Sequence, residues 1–116
     1  MKLYFIFLQN AAREDIEAHL NQHYRRCTAM NQWVLDRDGN PAVYLDWYVG
    51  FEKEWTPDAL AELQMQISAG FQNTTLLARL SKRHGNEADM QDLAGDLLNQ
   101  FEGVVQNEEG TPLSLL

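Results

Sequence analysis

The sequence has one cysteine, Cys27, in 116 residues. An intramolecular disulfide is therefore excluded, and a lone thiol agrees with a reducing compartment, so the expected location is cytoplasmic. Long hydrophobic runs are also missing. The run Leu3 to Leu8, "LYFIFL", is too short for a signal h-region or a membrane span, and neither export nor membrane insertion is expected. Lysine and arginine are missing from one whole region. Residues 84–116 carry seven carboxylates and no base, whereas residues 1–83 carry ten acids and nine bases. Catalytic signatures are missing too: there is no G-x-S-x-G, no C-x-x-C, no P-loop and no dinucleotide-binding glycine pattern. No cofactor is implied, and the chain is not expected to be an enzyme.

What is there is enough for one core. The length fits a single domain, and a chain of this size can bury a core without disulfide or metal staples. Apolar residues make up 45% of the chain, and the mean hydropathy is −0.43, values of a globular protein. We assign residues 1–110 to one α+β domain and 111–116 to a C-terminal tail. The net charge of −8 repels nucleic acid and anionic membranes. It attracts basic proteins and speeds their association, and it also serves plain solubility.

Periodicity predicts the elements. Lys2 to Gln9 reads as a strand that is apolar on both faces. Asn10 is placed to cap a helix running to about Arg26, with an inward stripe of Ile16, Leu20, Tyr24 and Cys27 flanked by His19 and His23. Residues 31–37 and 42–49 read as a hairpin around the turn signal "DGNP". In its second strand Val43, Leu45, Trp47 and Val49 face the core, and Tyr44, Asp46 and Tyr48 face water or a partner. Thr56 and Pro57 open a second helix whose apolar stripe is Leu60, Leu63, Ile67 and Phe71. Residues 74–84 fit either a strand or a helix. As a strand they complete a ferredoxin-like β-α-β-β-α-β sandwich with an extra C-terminal helix. As a helix they leave a three-stranded antiparallel sheet with four helices. The final helix, capped by Asn86, carries Met90, Leu93, Ala94, Leu97, Leu98, Phe101, Val104 and Val105 at helical spacing.

The acidic stretch lies on that last helix. At about 100° per residue, Asp89, Asp92 and Asp96 fall within about 60° of one another, on one flank of the apolar stripe. Like charges at this spacing repel slightly, and no neighbouring lysine relieves them. A ridge of this kind is expected to meet a cationic partner. Six of the twelve aromatics lie between Trp33 and Trp55, and aromatics are common anchors of interfaces. Tyr44 and Tyr48, with Asp46 between them, form a second candidate patch. A plait that binds RNA would set basic residues around such aromatics, so that function is set aside.

Three nearly-present chemistries are weaker. His19, His23 and Cys27 recur every four residues, a spacing that can hold a metal, but it is also the core-facing stripe; no metal site is assigned. "DRDGN", Asp36 to Asn40, starts like a calcium loop, yet its glycine is in the wrong place and Trp47 stands where the ligand glutamate belongs. His84 beside Lys82 and Arg83 is accounted for by a solvated element end.

In size, acidity and lack of catalytic motif, the chain is similar to small bacterial immunity proteins that neutralise toxin nucleases. That similarity is one of format, with no motif of a particular family. The function expected first is a non-catalytic protein that occupies a basic partner such as a toxin nuclease domain. The candidate contacts are Asp89, Asp92 and Asp96, with Tyr44, Asp46 and Tyr48 as a second patch. A homodimeric regulatory or ligand-sensing domain joined through the aromatic sheet face is the second expectation. A small enzyme is the third.

Overall fold

The computed structural model describes residues 2–9, 11–29, 31–48, 56–66 and 74–113. Among the described residues, six strands and three helices follow one another: β1 (Leu3–Gln9), α1 (Arg13–His23), β2 (Arg25–Cys27), β3 (Gln32–Arg37), β4 (Asn40–Trp47), α2 (Pro57–Gln66), β5 (Thr75–Leu80), α3 (Glu87–Gln100) and β6 (Glu102–Asn107). The strands form one sheet in the order β2-β3-β4-β5-β1-β6, with every pairing antiparallel. The class is α+β.

Both alternating sets of β1 are apolar because it is an inner strand. It pairs with β5 on one side and β6 on the other, and Ile6, Phe7 and Leu8 are fully buried. The antiparallel pairings make β1 parallel to β2, and β5 parallel to β6. Helices α1 and α3 are therefore crossovers running in opposite directions from oppositely directed strands. Crossovers of one hand then place both helices on the same face. One cluster indeed joins Ile16 and Leu20 of α1, Met90, Leu93, Ala94 and Leu97 of α3, and Ile6, Leu8, Leu45, Leu76 and Ala78 from the sheet.

Local signals explain several boundaries. Asp38 and Gly39 take positive φ, 53° and 80°, and link Arg37 to Asn40 in register; this is the two-residue turn that matches strand twist. Thr56 Oγ1 accepts from the Ala59 amide at 3.2 Å, ahead of Pro57 at the first position of α2. Asn86 and Asp89 form a reciprocal capping box at the start of α3, worth about 1 kcal/mol.

Residues 75–80 are a strand and a helix follows them, but the order is β-α-β-β-β-α-β-α-β, with an extra strand after α1 and another after α3. The sheet itself differs from a four-stranded plait: it has two further strands, and β5 lies between β4 and β1. The first helix stops at His23, and Arg25–Cys27 pairs with β3. Ala12, not Asn10, precedes it, with no side-chain cap; Asn10 lies outside the described residues. The last helix stops at Gln100. Phe101 turns to φ −130°, ψ 157°, and Val104 and Val105 belong to β6, opposite Phe7 and Ile6. Val49, Phe51, Trp55, Ile67 and Phe71 lie outside the described residues, as do the side chains of Leu60 and Leu63. Among the described residues, no helix is long and apolar enough to cross a membrane.

Candidate functional site

The acidic flank of α3 folds against groups from distant parts of its own chain. Arg37, at the end of β3, reaches both Asp89 and Asp92. Its Nε stands 3.1 Å from Asp89 Oδ1 and one terminal nitrogen 3.0 Å from Asp92 Oδ2. A guanidinium is suited to this because its donors form a rigid fork. Asp89 is 7% exposed and serves the capping box as well, so the expectation of an outward Asp89 is corrected: it is a structural carboxylate. Asp92 is different, with 68% of its side chain exposed.

Asp96 joins α3 to α1. Its Oδ2 accepts from the Tyr24 hydroxyl at 2.6 Å and lies 2.9 Å from His19 Nε2. The His19 ring stands 4.3 Å from that of His23 and meets Phe101 edge-on at 5.6 Å. Partial burial works against the Asp96 charge. The hydrogen bonds from Tyr24 and His19 and the nearby His19 and His23 outweigh it, so the carboxyl is held below its ordinary range. The Tyr24 phenol is pushed far above its ordinary range, by burial first and then by its bond to that carboxylate. Chemically the cluster is a pin between helices: its donors converge on one carboxylate oxygen. Cys27 is on β2, away from the His19–His23 helix. Among the described residues, no group of three His, Cys, Asp or Glu side chains is arranged to hold a metal ion.

The second patch lies on the sheet face away from α1 and α3. Tyr44 sits opposite Arg79, and Asp46 opposite Leu77. Arg79 donates to Asp46 Oδ2 at 2.8 Å and to Gln32 Oε1 at 3.3 Å. Asp46 Oδ1 and Arg79 Nε are buried without a hydrogen-bond partner among the described residues. Burial raises the Asp46 pKa, and the Arg79 charge and bond only partly offset it. Tyr48 is 7% exposed and meets Phe5 edge-on at 5.2 Å, so the expectation of an open Tyr48 is corrected. Tyr44 stays half-buried.

Other carboxylates of the last third gather at one end of the molecule. Glu87 opens α3, and Glu108 and Glu109 follow β6; all three are exposed. Glu108 accepts from the Leu3 amide at 2.9 Å, and no ion pair engages Glu87, Glu108 or Glu109 among the described residues. The sequence gives no local signal for this gathering, because antiparallel pairing of β1 with β6 creates it.

Comparison with known protein families, characterised proteins and solved structures finds no match.

Proposed function

We propose that this chain is a small acidic, non-catalytic binding protein that occupies a basic partner protein. The observation that carries this reading is the charge left over after folding. Asp89 and Asp96 are tied into the fold, and Asp92 shares Arg37 while remaining exposed. Glu87, Glu108 and Glu109 stay unopposed by any ion pair among the described residues and share one end of the molecule. Carboxylates without internal counter-ions project a field that steers a cationic partner and speeds its encounter. A nuclease suits the role, since the cations that bind its phosphates can also meet carboxylates; inhibition of the immunity-protein kind is the specific form we favour. The interacting surface is Asp92 together with the glutamate end, with Tyr44 and Asp46 as a second patch.

The test is affinity capture on the immobilised chain at low salt, with calorimetry on each captured protein across a salt series. A strongly basic partner binding at 1:1, with affinity falling steeply as salt rises, supports the reading. Partners that are all neutral or acidic, or affinity indifferent to salt, overturn it.

One observation favours a second reading. Leu3, Tyr44, Leu77 and Val104 stay half-exposed on the sheet face away from α1 and α3, a surface two copies could share. Light scattering decides it: a stable dimer that Tyr44→Lys separates supports this reading, and a monomer at high concentration removes it.

A further inference from the structure

A cleft of about 450 Å³ opens where the start of β1, the end of β6 and the first turn of α3 meet. Its walls have two characters. Glu87, Glu108 and Glu109 face it with Lys2 as the one base among the described residues, and Leu3, Pro112 and Leu113 supply apolar surface. Tyr4 forms part of the lining although the residue is only 4% exposed. Its hydroxyl makes no hydrogen bond with any described residue, and it stands within the field of Glu87 and Glu108. Burial first, and then those two carboxylates, push its pKa up, so the phenol stays protonated and neutral at physiological pH.

The Tyr4 ring is buried, while its hydroxyl, which bonds no described residue, is not itself a buried polar atom and stays open to the cleft, a donor and acceptor available to a ligand. The acidic lining selects a cation. A bare metal ion does not suit it: among the described residues no three carboxylates, histidines or cysteines are grouped closely enough to ligate one. An organic cation does. Its alkyl stem would lie on Leu3, Pro112 and Leu113, and its N–H donors would reach Glu87, Glu108 and the Tyr4 oxygen.

We propose that this cleft is a binding site for an alkylguanidinium or alkylammonium group, with Tyr4, Glu87 and Glu108 as its polar contacts. The assignment deepens the reading above and rests on it for the source of the cation: an arginine or lysine side chain of the basic partner. A free polyamine presents the same chemistry from another source.

The experiment is a calorimetric and NMR titration of the full chain with N-acetyl-arginine amide and, separately, with spermidine. N-acetyl-norleucine amide, which keeps the stem and lacks the charge, is the control. Saturable binding of a cation, with shifts centred on Tyr4, Glu87 and Glu108 and none from the control, supports the site. Tyr4→Phe should weaken it about threefold to tenfold, the size of one ordinary hydrogen bond that water can partly replace. Glu87→Gln with Glu108→Gln should weaken it more than about tenfold; the glutamine at 108 still accepts from the Leu3 amide, so the variant keeps its fold. Glu14→Gln, an exposed change on α1, should leave affinity within about twofold, as expected of a screened surface charge. Unsaturable shifts spread over all carboxylates, or equal affinity in Tyr4→Phe and in the double variant, overturn the proposal. Tighter binding of the arginine amide assigns the site to a protein side chain, and tighter binding of spermidine assigns it to a free amine. If cations bind the cleft and no basic protein is captured, the site stands and the reading of a protein binder falls. If a basic protein binds and neither cation does, the reading stands and the site falls.

Discussion

Arg37 and Asp89 stand 52 positions apart in the chain and meet at 3.1 Å. The contact turns the hairpin end into a counter-ion for the first turn of α3. Asp89 is nearly buried, its side chain 10% exposed, so its charge depends on Arg37 and on the capping box. Arg37→Met would leave that carboxylate without its cation. Breaking a fully buried pair costs about 3–5 kcal/mol, and because Arg37 is 40% exposed we expect about 1–2. Asp92→Asn, at the exposed end of the same guanidinium, should cost about 0–0.5 kcal/mol. Urea denaturation of the two variants checks the contrast; equal losses would mean that burial of Asp89 does not decide the cost.

Asp96 sets an acid limb. Its folded pKa lies below the ordinary carboxylate value because Tyr24, His19 and His23 favour the charged form against partial burial. A group depressed on folding stabilises the protein above its unfolded pKa and loses that contribution as pH falls through the folded value. Stability of the native chain should therefore drop from about pH 4 downwards, where an unfolded aspartate titrates. Asp96→Asn should cost about 1 kcal/mol at pH 7, the usual size for a partly exposed charged hydrogen bond, and should flatten the limb. Urea midpoints between neutral and strongly acidic pH, native against variant, test this. An acid limb that is unchanged in Asp96→Asn would place the titration elsewhere.

The elements that were legible share one property: their cause is local. Asp38-Gly39, Thr56-Pro57 and Asn86 each act within a few residues, and each forms the turn or cap its chemistry predicts. What was hidden depends on distant partners. Phe101, Val104 and Val105 keep the phase of the α3 stripe, so periodicity runs on past Gln100. Gly103 between them is the signal against a longer helix: glycine is a poor helix former, two adjacent valines favour a strand, and a glycine in a strand marks the close approach of another backbone. Tyr24 and Cys27 likewise keep the phase of α1 while β3 recruits Arg25–Cys27 as an edge strand. Asp89, Asp92 and Asp96 all lie on α3, but nothing near them in sequence announces Arg37, Tyr24 or His19.

Asp46 and Arg79 form a pair whose geometry leaves an acceptor and a donor unsatisfied among the described residues, Asp46 Oδ1 and Arg79 Nε. The Asp46 pKa is raised by burial against the pull of Arg79. In sign this is the reverse of Asp96: the folded state holds its proton more tightly than the unfolded state, so ionising Asp46 works against folding as pH rises through its range. A double-mutant cycle should show it. Asp46→Leu alone strands Arg79 and Arg79→Met alone strands Asp46, and each should cost about 1–3 kcal/mol. Both together should cost less than the worse single change, since an imperfect pair is readily replaced by apolar side chains. Additive losses in denaturation would show that the two side chains act independently.

Gly103 and Gly95 should respond oppositely to the same added methyl. A Cβ on Gly103 would stand 2.0 Å from the Phe7 carbonyl oxygen, a backbone atom held between two ladders. β1 and β6 would have to separate, and with them the shared edge that carries Glu108 to Leu3. Gly103→Ala should therefore lose about 1–3 kcal/mol or more, the range of overpacking with backbone displacement. A Cβ on Gly95 meets nothing within 4 Å, in the middle of α3, where alanine is favoured over glycine by about 0.5–1 kcal/mol. Thermal denaturation of the two variants is the measurement: the melting temperature should fall with Gly103→Ala and rise by a few degrees with Gly95→Ala. A harmless Gly103→Ala would mean that β6 is free to leave β1, and the gathering of Glu87 and Glu108 around Tyr4 would lose the strand pairing that creates it.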